Sequence, residues 1–86
     1  MIIGENMANE VVAYLLVTTA NDGTEEVLTE LRSRPEVSEA YVIYGDWDII
    51  ARVSVPSLPE LTNFVMALRK FKTIRKTSTL IALGEE

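Results

Sequence analysis

Apolar positions along the chain fall into two rhythms. "VVAYLLVTT", from Val11 to Thr19, is β-branched and aromatic and predicts a first strand. "ANDG" follows as a turn. In "TEEVLTELRSRP", Val27, Leu28 and Leu31 recur at helical spacing. That predicts a helix capped by Thr24 or Asp22, with Glu25 and Glu26 at its positive end and Pro35 as its stop. "EVSEAYVIYG" predicts a second strand over about Val37 to Tyr44, and Asp48 to Val55 a third. The Gly45–Trp47 link is so short that the two strands must form an antiparallel hairpin. Ser57 and Glu60 make an S-x-x-E capping box, with Pro59 tolerated in the first turn. A second helix follows over about Leu58 to Lys70, striped by Leu61, Phe64, Val65 and Leu68. "FKTIRK" leads into a fourth strand over about Lys76 to Leu83.

The order is β-α-β-β-α-β, and its halves echo each other: each ends in a helix exit, an apolar step (Val37 or Ile74) and a strand. Two right-handed β-α-β units joined by a hairpin predict an α+β, ferredoxin-like sandwich. The expectation is a four-stranded antiparallel sheet with both helices on one face, strands one and three central. Its other face should alternate polar and apolar if it met water. Strand one does not alternate: Val11, Ala13, Leu15 and Val17 interleave with Val12, Tyr14 and Leu16. Strands two and four are also apolar on both sides, and only Arg52 and Ser54 mark a wetter side on strand three. Burying even a few hundred Å² at ~25 cal/mol per Å² makes several kcal/mol available. The pattern predicts a homo-oligomer that dimerises through the open sheet face, with higher assembly through edges and loops.

Composition narrows the chemistry. The 86 residues leave room for a single domain, read as a 1–10 extension and an 11–86 domain, with Met1 and Met7 both candidate starts. The chain has no cysteine and no histidine, so thiolate chemistry and the commonest neutral-pH base are missing. No enzyme activity and no cofactor are expected. No membrane span and no secretory signal are legible, and a cytoplasmic location is the expectation. The formal net charge is −5, although Arg69, Lys70, Lys72, Arg75 and Lys76 cluster. Read as cations at a helix C-terminus followed by a solvated loop, they do not imply direct nucleic-acid binding.

The chain's one tryptophan lies in "YGDWD", between strands two and three. Asp46-x-Asp48 offers two hard oxygen ligands, but no third stands nearby. Paired carboxylates do acid–base work, but no partner nucleophile is in view. A plain turn explains Gly45 and Asp46 but not Trp47. A small-ligand pocket is the fourth reading beside these. Backbone N–H groups around Gly45 would hold a carboxylate, an Asp an ammonium, and Thr77, Ser78 and Thr79 would add hydroxyls. That donor set fits a free α-amino acid.

"AYVIYGDWDIIARVSV", the "P-E-V" lead-in, "SLPELTNFV" and the closing "TSTLIAL" together resemble the RAM domain. This is the ligand-binding half of the Lrp/AsnC (feast/famine) transcription regulators. The resemblance runs from Val12 to Leu83. It implies a βαββαβ sandwich dimerising through its sheets, tetramers or octamers of those dimers, and a free amino acid at the dimer–dimer seam. It implies ligand positions at Gly45 and Asp48 in the hairpin, at Thr77 and Thr79 in strand four, and effector response at Ala82 and Leu83. Tyr44, Asp46 and Trp47 join the candidate site by adjacency. The full regulators also carry an N-terminal helix-turn-helix, whereas here at most ten residues precede strand one. The expectation is a stand-alone module that reaches transcription through a partner, such as a full-length Lrp-type regulator.

Overall fold

A computed structural model describes residues 10–20 and 22–83; the proposed extension over 1–9, Asn21 of the first turn and the closing 84–86 lie outside the described residues. The elements run β1 (Val11–Thr19), α1 (Thr24–Arg32), β2 (Val37–Val42), β3 (Ile49–Val55), α2 (Leu58–Leu68) and β4 (Ile74–Ile81). The sheet order is β2-β3-β1-β4, all pairs antiparallel. This is the ferredoxin-like α+β sandwich expected from the sequence, with β1 and β3 central.

Alternation along β1 and β3 creates the core. Ala13, Leu15 and Val17 point to the helices beside Ile49, Ala51, Val53 and Val55, and all are buried. From α1, Val27 and Leu31 close over them; from α2, Leu61, Phe64 and Leu68 do so, while Leu28 and Val65 pack at the margin. No polar side chain is buried among the described residues. The core is therefore held by apolar burial, about 1.5–3 kcal/mol for each large aliphatic side chain.

The element ends differ from the sequence reading in detail. Ser57 caps α2 as expected, its hydroxyl accepting from the Glu60 N–H at 3.4 Å. At α1 neither Asp22 nor Thr24 caps. Gly23 occupies the cap position without a side-chain bond, because Thr24 turns its hydroxyl to Thr19 at 2.7 Å. β2 stops at Val42 rather than Tyr44, since Ile43 already donates to the Asp48 carbonyl and begins the turn. β4 begins at Ile74, earlier than expected, and ends at Ile81. Both edge strands carry a register shift, which skips Ser38 in β2 and Arg75 in β4. Such bulges twist an edge away from unwanted pairing. The β2 edge is further closed by Arg32, whose Nε and Nη2 donate to the Ala40 carbonyl at 3.1 and 2.7 Å.

The face away from the helices carries Val12, Tyr14, Leu16 and Thr18 of β1. In register beside them lie Ile50, Arg52 and Ser54 of β3, Glu39 and Tyr41 of β2, and Lys76, Ser78 and Leu80 of β4. Tyr41 and Leu80 are about half exposed, at 52% and 53%. The apolar open face foreseen from β1 is present. Arg52 donates to Ser38 Oγ at 3.1 Å, and the Tyr41 hydroxyl donates to Glu39 at 3.0 Å. That hydrogen bond, reinforced by the Glu39 charge, raises the Tyr41 phenol above its ordinary value.

Two glycines are required for opposite reasons. A Cβ at Gly23 would meet the Thr73 Cβ at 2.7 Å, where α1 starts against the turn before β4. Gly45 has open space around it but a φ of +130°. Gly23→Ala is expected to cost about 1–3 kcal/mol through overpacking. Gly45→Ala is expected to cost about 1–3 kcal/mol through backbone strain. Urea unfolding checks both, and only the Gly23 penalty should shrink in a Thr73→Gly background.

Candidate functional site

The hairpin between β2 and β3 is built on the end of β1. The Asp48 N–H donates to the Val17 carbonyl at 2.9 Å, adding a rung to the β1–β3 ladder. The Asp48 carboxylate accepts the Thr19 N–H at 2.8 Å, and the Thr19 hydroxyl lies 3.4 Å from the same oxygen. Thr19 and Thr24 share a hydroxyl–hydroxyl bond at 2.7 Å, so the chain of contacts runs from the hairpin to the first residue of α1. Asp48 thus satisfies a strand-end donor left over where β1 outruns β3.

Trp47 has a comparable local explanation. Its half-buried ring lies under Lys76 of β4, with the ammonium 5.1 Å from the ring centroid. A cation over an indole face contributes roughly 0.5–1 kcal/mol at an exposed site. Tyr44, Gly45 and Asp46 project into solvent, Tyr44 entirely so. Neither the Tyr44 hydroxyl nor the Asp46 carboxylate forms a hydrogen bond or ion pair among the described residues. Among those residues there is also no cluster of three or more acidic side chains that would hold a metal ion.

The hydroxyl segment of β4 divides between two faces. Thr77 and Thr79 pair with Val17 and Leu15 and so look toward the helices, while Ser78 pairs with Leu16 and lies on the open face. Thr77 is the closer of the two threonines to the hairpin, through Val17. Thr79 is two residues farther along and instead lines a groove of about 300 Å³ between β4 and α2, together with Met66, Arg69 and Ile81. The chain therefore brings Trp47, Asp48, Lys76 and Thr77 to the same end of the sheet, with Ser78 next along on the open face and Thr79 turned to the groove. Beyond β4, Ala82 donates to the Val12 carbonyl at 2.8 Å and Leu83 is 89% exposed. The sequence reading missed the groove because it followed the single stripe of Leu61, Phe64, Val65 and Leu68. A second row, Leu58, Thr62 and Met66, was the available signal.

The structural role of Asp48 gives a direct test. Asp48→Ala removes the acceptor for Thr19 and should lower stability by about 1–2 kcal/mol in urea unfolding. Asp48→Asn keeps an acceptor oxygen and should lose less than half of that.

Comparison with known proteins places the fold. The model of the Lrp/AsnC ligand binding domain matches residues 12–86. The transcriptional regulator FL11 of Pyrococcus furiosus is 27% identical over 79 residues, covering 92% of this chain and 52% of the regulator. The chain thus spans about half the length of the curated relatives it matches. The crystal structure of FFRP-DM1 is 42% identical with a TM-score of 0.82, covering 85% of this chain and 99% of that one. The regulator NMB0573 from Neisseria meningitidis, solved as a complex with L-Met, shares the fold alone at 19% identity. Its TM-score is 0.82, with 99% of this chain and 56% of that one covered. The hairpin, the apolar open face and the β-α-β-β-α-β order thus meet in one assignment: the chain belongs to the Lrp/AsnC ligand-binding domain family.

Proposed function

We propose that residues 11–86 form an oligomeric effector-binding domain that pairs through its open sheet face. It binds a free amino acid at a subunit seam and adjusts transcription through a partner regulator in the cytoplasm, without catalysis of its own. The observation that carries the proposal is the open face itself. Val12, Tyr14, Leu16, Ile50 and Leu80 form an apolar surface on the side that neither helix covers. A second copy removes such a surface from water, and a stable interface needs roughly 800 Å² from each partner. The hairpin supplies the ligand groups: free N–H groups around Gly45 for a carboxylate, and the remaining lone pairs of Asp48, with Asp46, for an ammonium. Tyr44 and Trp47 would flank the ligand, and a neighbouring subunit would bring its own Thr77, Ser78 or Thr79 to the seam. The L-Met complex of the Neisseria regulator supports this ligand class. Binding would favour whichever assembly holds the ligand more tightly.

One observation favours a second reading, a ligand-free oligomerisation adaptor. Asp48 is already engaged by Thr19, and Trp47 by Lys76, so both have structural roles without any ligand.

Two measurements decide. Sedimentation should give a dimer or larger at micromolar concentration, and Tyr14→Asp should convert it to a folded monomer; a wild-type 9.6 kDa particle overturns the face-pairing proposal. Calorimetric titration with the twenty amino acids should find at least one ligand. Asp48→Asn, which keeps the Thr19 bond but removes the charge, should weaken that ligand by about tenfold or more. Binding by none of them, in a chain that still oligomerises, selects the adaptor.

A further inference from the structure

The groove on the helix side of β4 offers a different set of groups from the hairpin. α2 presents two adjoining rows to it, Leu58-Thr62-Met66 and Leu61-Val65-Arg69, each spaced by four residues as one flank of a helix requires. Thr79 and Ile81, alternate residues of β4, form the opposite wall. At about 300 Å³ the cleft reaches the lower end of small-molecule sites, roughly 300–1,000 Å³. Much of its lining remains in water: Leu58 is 53% exposed, Met66 56% and Ile81 47%. Met66 is unbranched and adjusts to the shape of a guest.

The polar groups of the groove are one-sided. Arg69 stands at the rim, and its guanidinium makes no hydrogen bond or ion pair among the described residues. The hydroxyls of Thr62 and Thr79 are likewise unpaired there. Among the described residues no carboxylate lines the groove. A guest therefore meets a guanidinium suited to a carboxylate, two hydroxyls and an aliphatic wall. An ammonium group would leave water for no anionic partner and stand near the guanidinium, which disfavours it. We propose that the α2–β4 groove binds a small aliphatic monocarboxylate lacking an ammonium group. Arg69 holds its carboxylate, and Leu61, Val65, Met66 and Ile81 hold its tail. Short fatty acids and branched 2-oxo acids share this chemistry. The site is complete within one subunit and does not depend on the hairpin binding an amino acid.

The ¹⁵N-labelled chain is titrated with 4-methylpentanoate, 4-methyl-2-oxopentanoate and leucine, which share one tail. Both acids should shift the Met66 and Thr79 amide resonances saturably, with dissociation constants on the order of 1 mM. Leucine should bind at least about tenfold more weakly. Tighter binding by the oxo acid assigns the natural guest to 2-oxo acids, and equal binding to simple carboxylates. Arg69→Gln should weaken both acids by about tenfold or more. Thr62→Trp, which fills the cleft and keeps Arg69, should abolish their binding. Asp48→Asn should leave it unchanged, which separates this site from the hairpin. Leucine binding as tightly as the acids overturns the proposal, as does an unaffected Arg69→Gln chain that retains its circular dichroism spectrum. Groove resonances that move on dilution without any acid would instead assign the cleft to a second copy and overturn it too.

Discussion

Strand β1 is apolar on both sides, and much of the molecule follows from that. Ala13, Leu15 and Val17 anchor the helix layer, and Val12, Tyr14 and Leu16 load the opposite side with surface that a small domain does not bury by itself. A strand of this kind is stable only at the centre of a sheet, where both ladders are paired and both faces find cover. Pairing with β3 and β4 provides the first condition. The helices provide half of the second. Among the described residues nothing covers the other face, and the proposed pairing would make assembly and folding draw on the same nine residues of β1.

The sequence made the strand order and the helix stripes legible because both rest on long, strongly periodic segments. The hairpin was legible for the same reason: two strand patterns with only a few residues between them admit one geometry. The α1 cap was not legible. Asp22 and Thr24 both satisfy the usual preference, and only the three-dimensional proximity of Thr19 shows why Thr24 points elsewhere. The bulges at Ser38 and Arg75 left no mark either, since neither residue is a glycine. In the candidate site, Gly45 was readable as a backbone position, and its φ of +130° agrees. The split of Thr77, Ser78 and Thr79 between two faces was implicit in strand alternation, yet grouping them as three neighbouring hydroxyls hid it.

The structural role of Asp48 is compatible with the binding role proposed for it. One oxygen accepts the Thr19 N–H, which fixes the side chain and holds the hairpin against β1. A charged acceptor held this way keeps lone pairs available and loses little entropy on meeting a cation. Under the proposed function, the bond to Thr19 would also act as preorganisation. It further ties the hairpin to α1 through Thr24, so displacement of the loop is resisted at the start of that helix as well.

β4 is the strand on which the two surfaces meet. Its open-face residues, Ser78 and Leu80, continue the apolar side of β1, while Thr79 and Ile81 look into the groove beside α2. An edge strand facing a helix layer would ordinarily carry aliphatic residues at its inward positions, as β3 does with Ala51 and Val53. Here Thr77 and Thr79 take two of those positions, between the inward Ile74 and Ile81, half-buried and with hydroxyls unpaired among the described residues. A hydroxyl is poorly suited to complete a core, because its desolvation must be met by a partner. It is well suited to a wall that water reaches and a guest can occupy. Of the inward residues of β4, Ile74 packs on the core and Ile81 and Thr79 line the groove, so the Thr79 hydroxyl sits where α2 leaves the strand open to water.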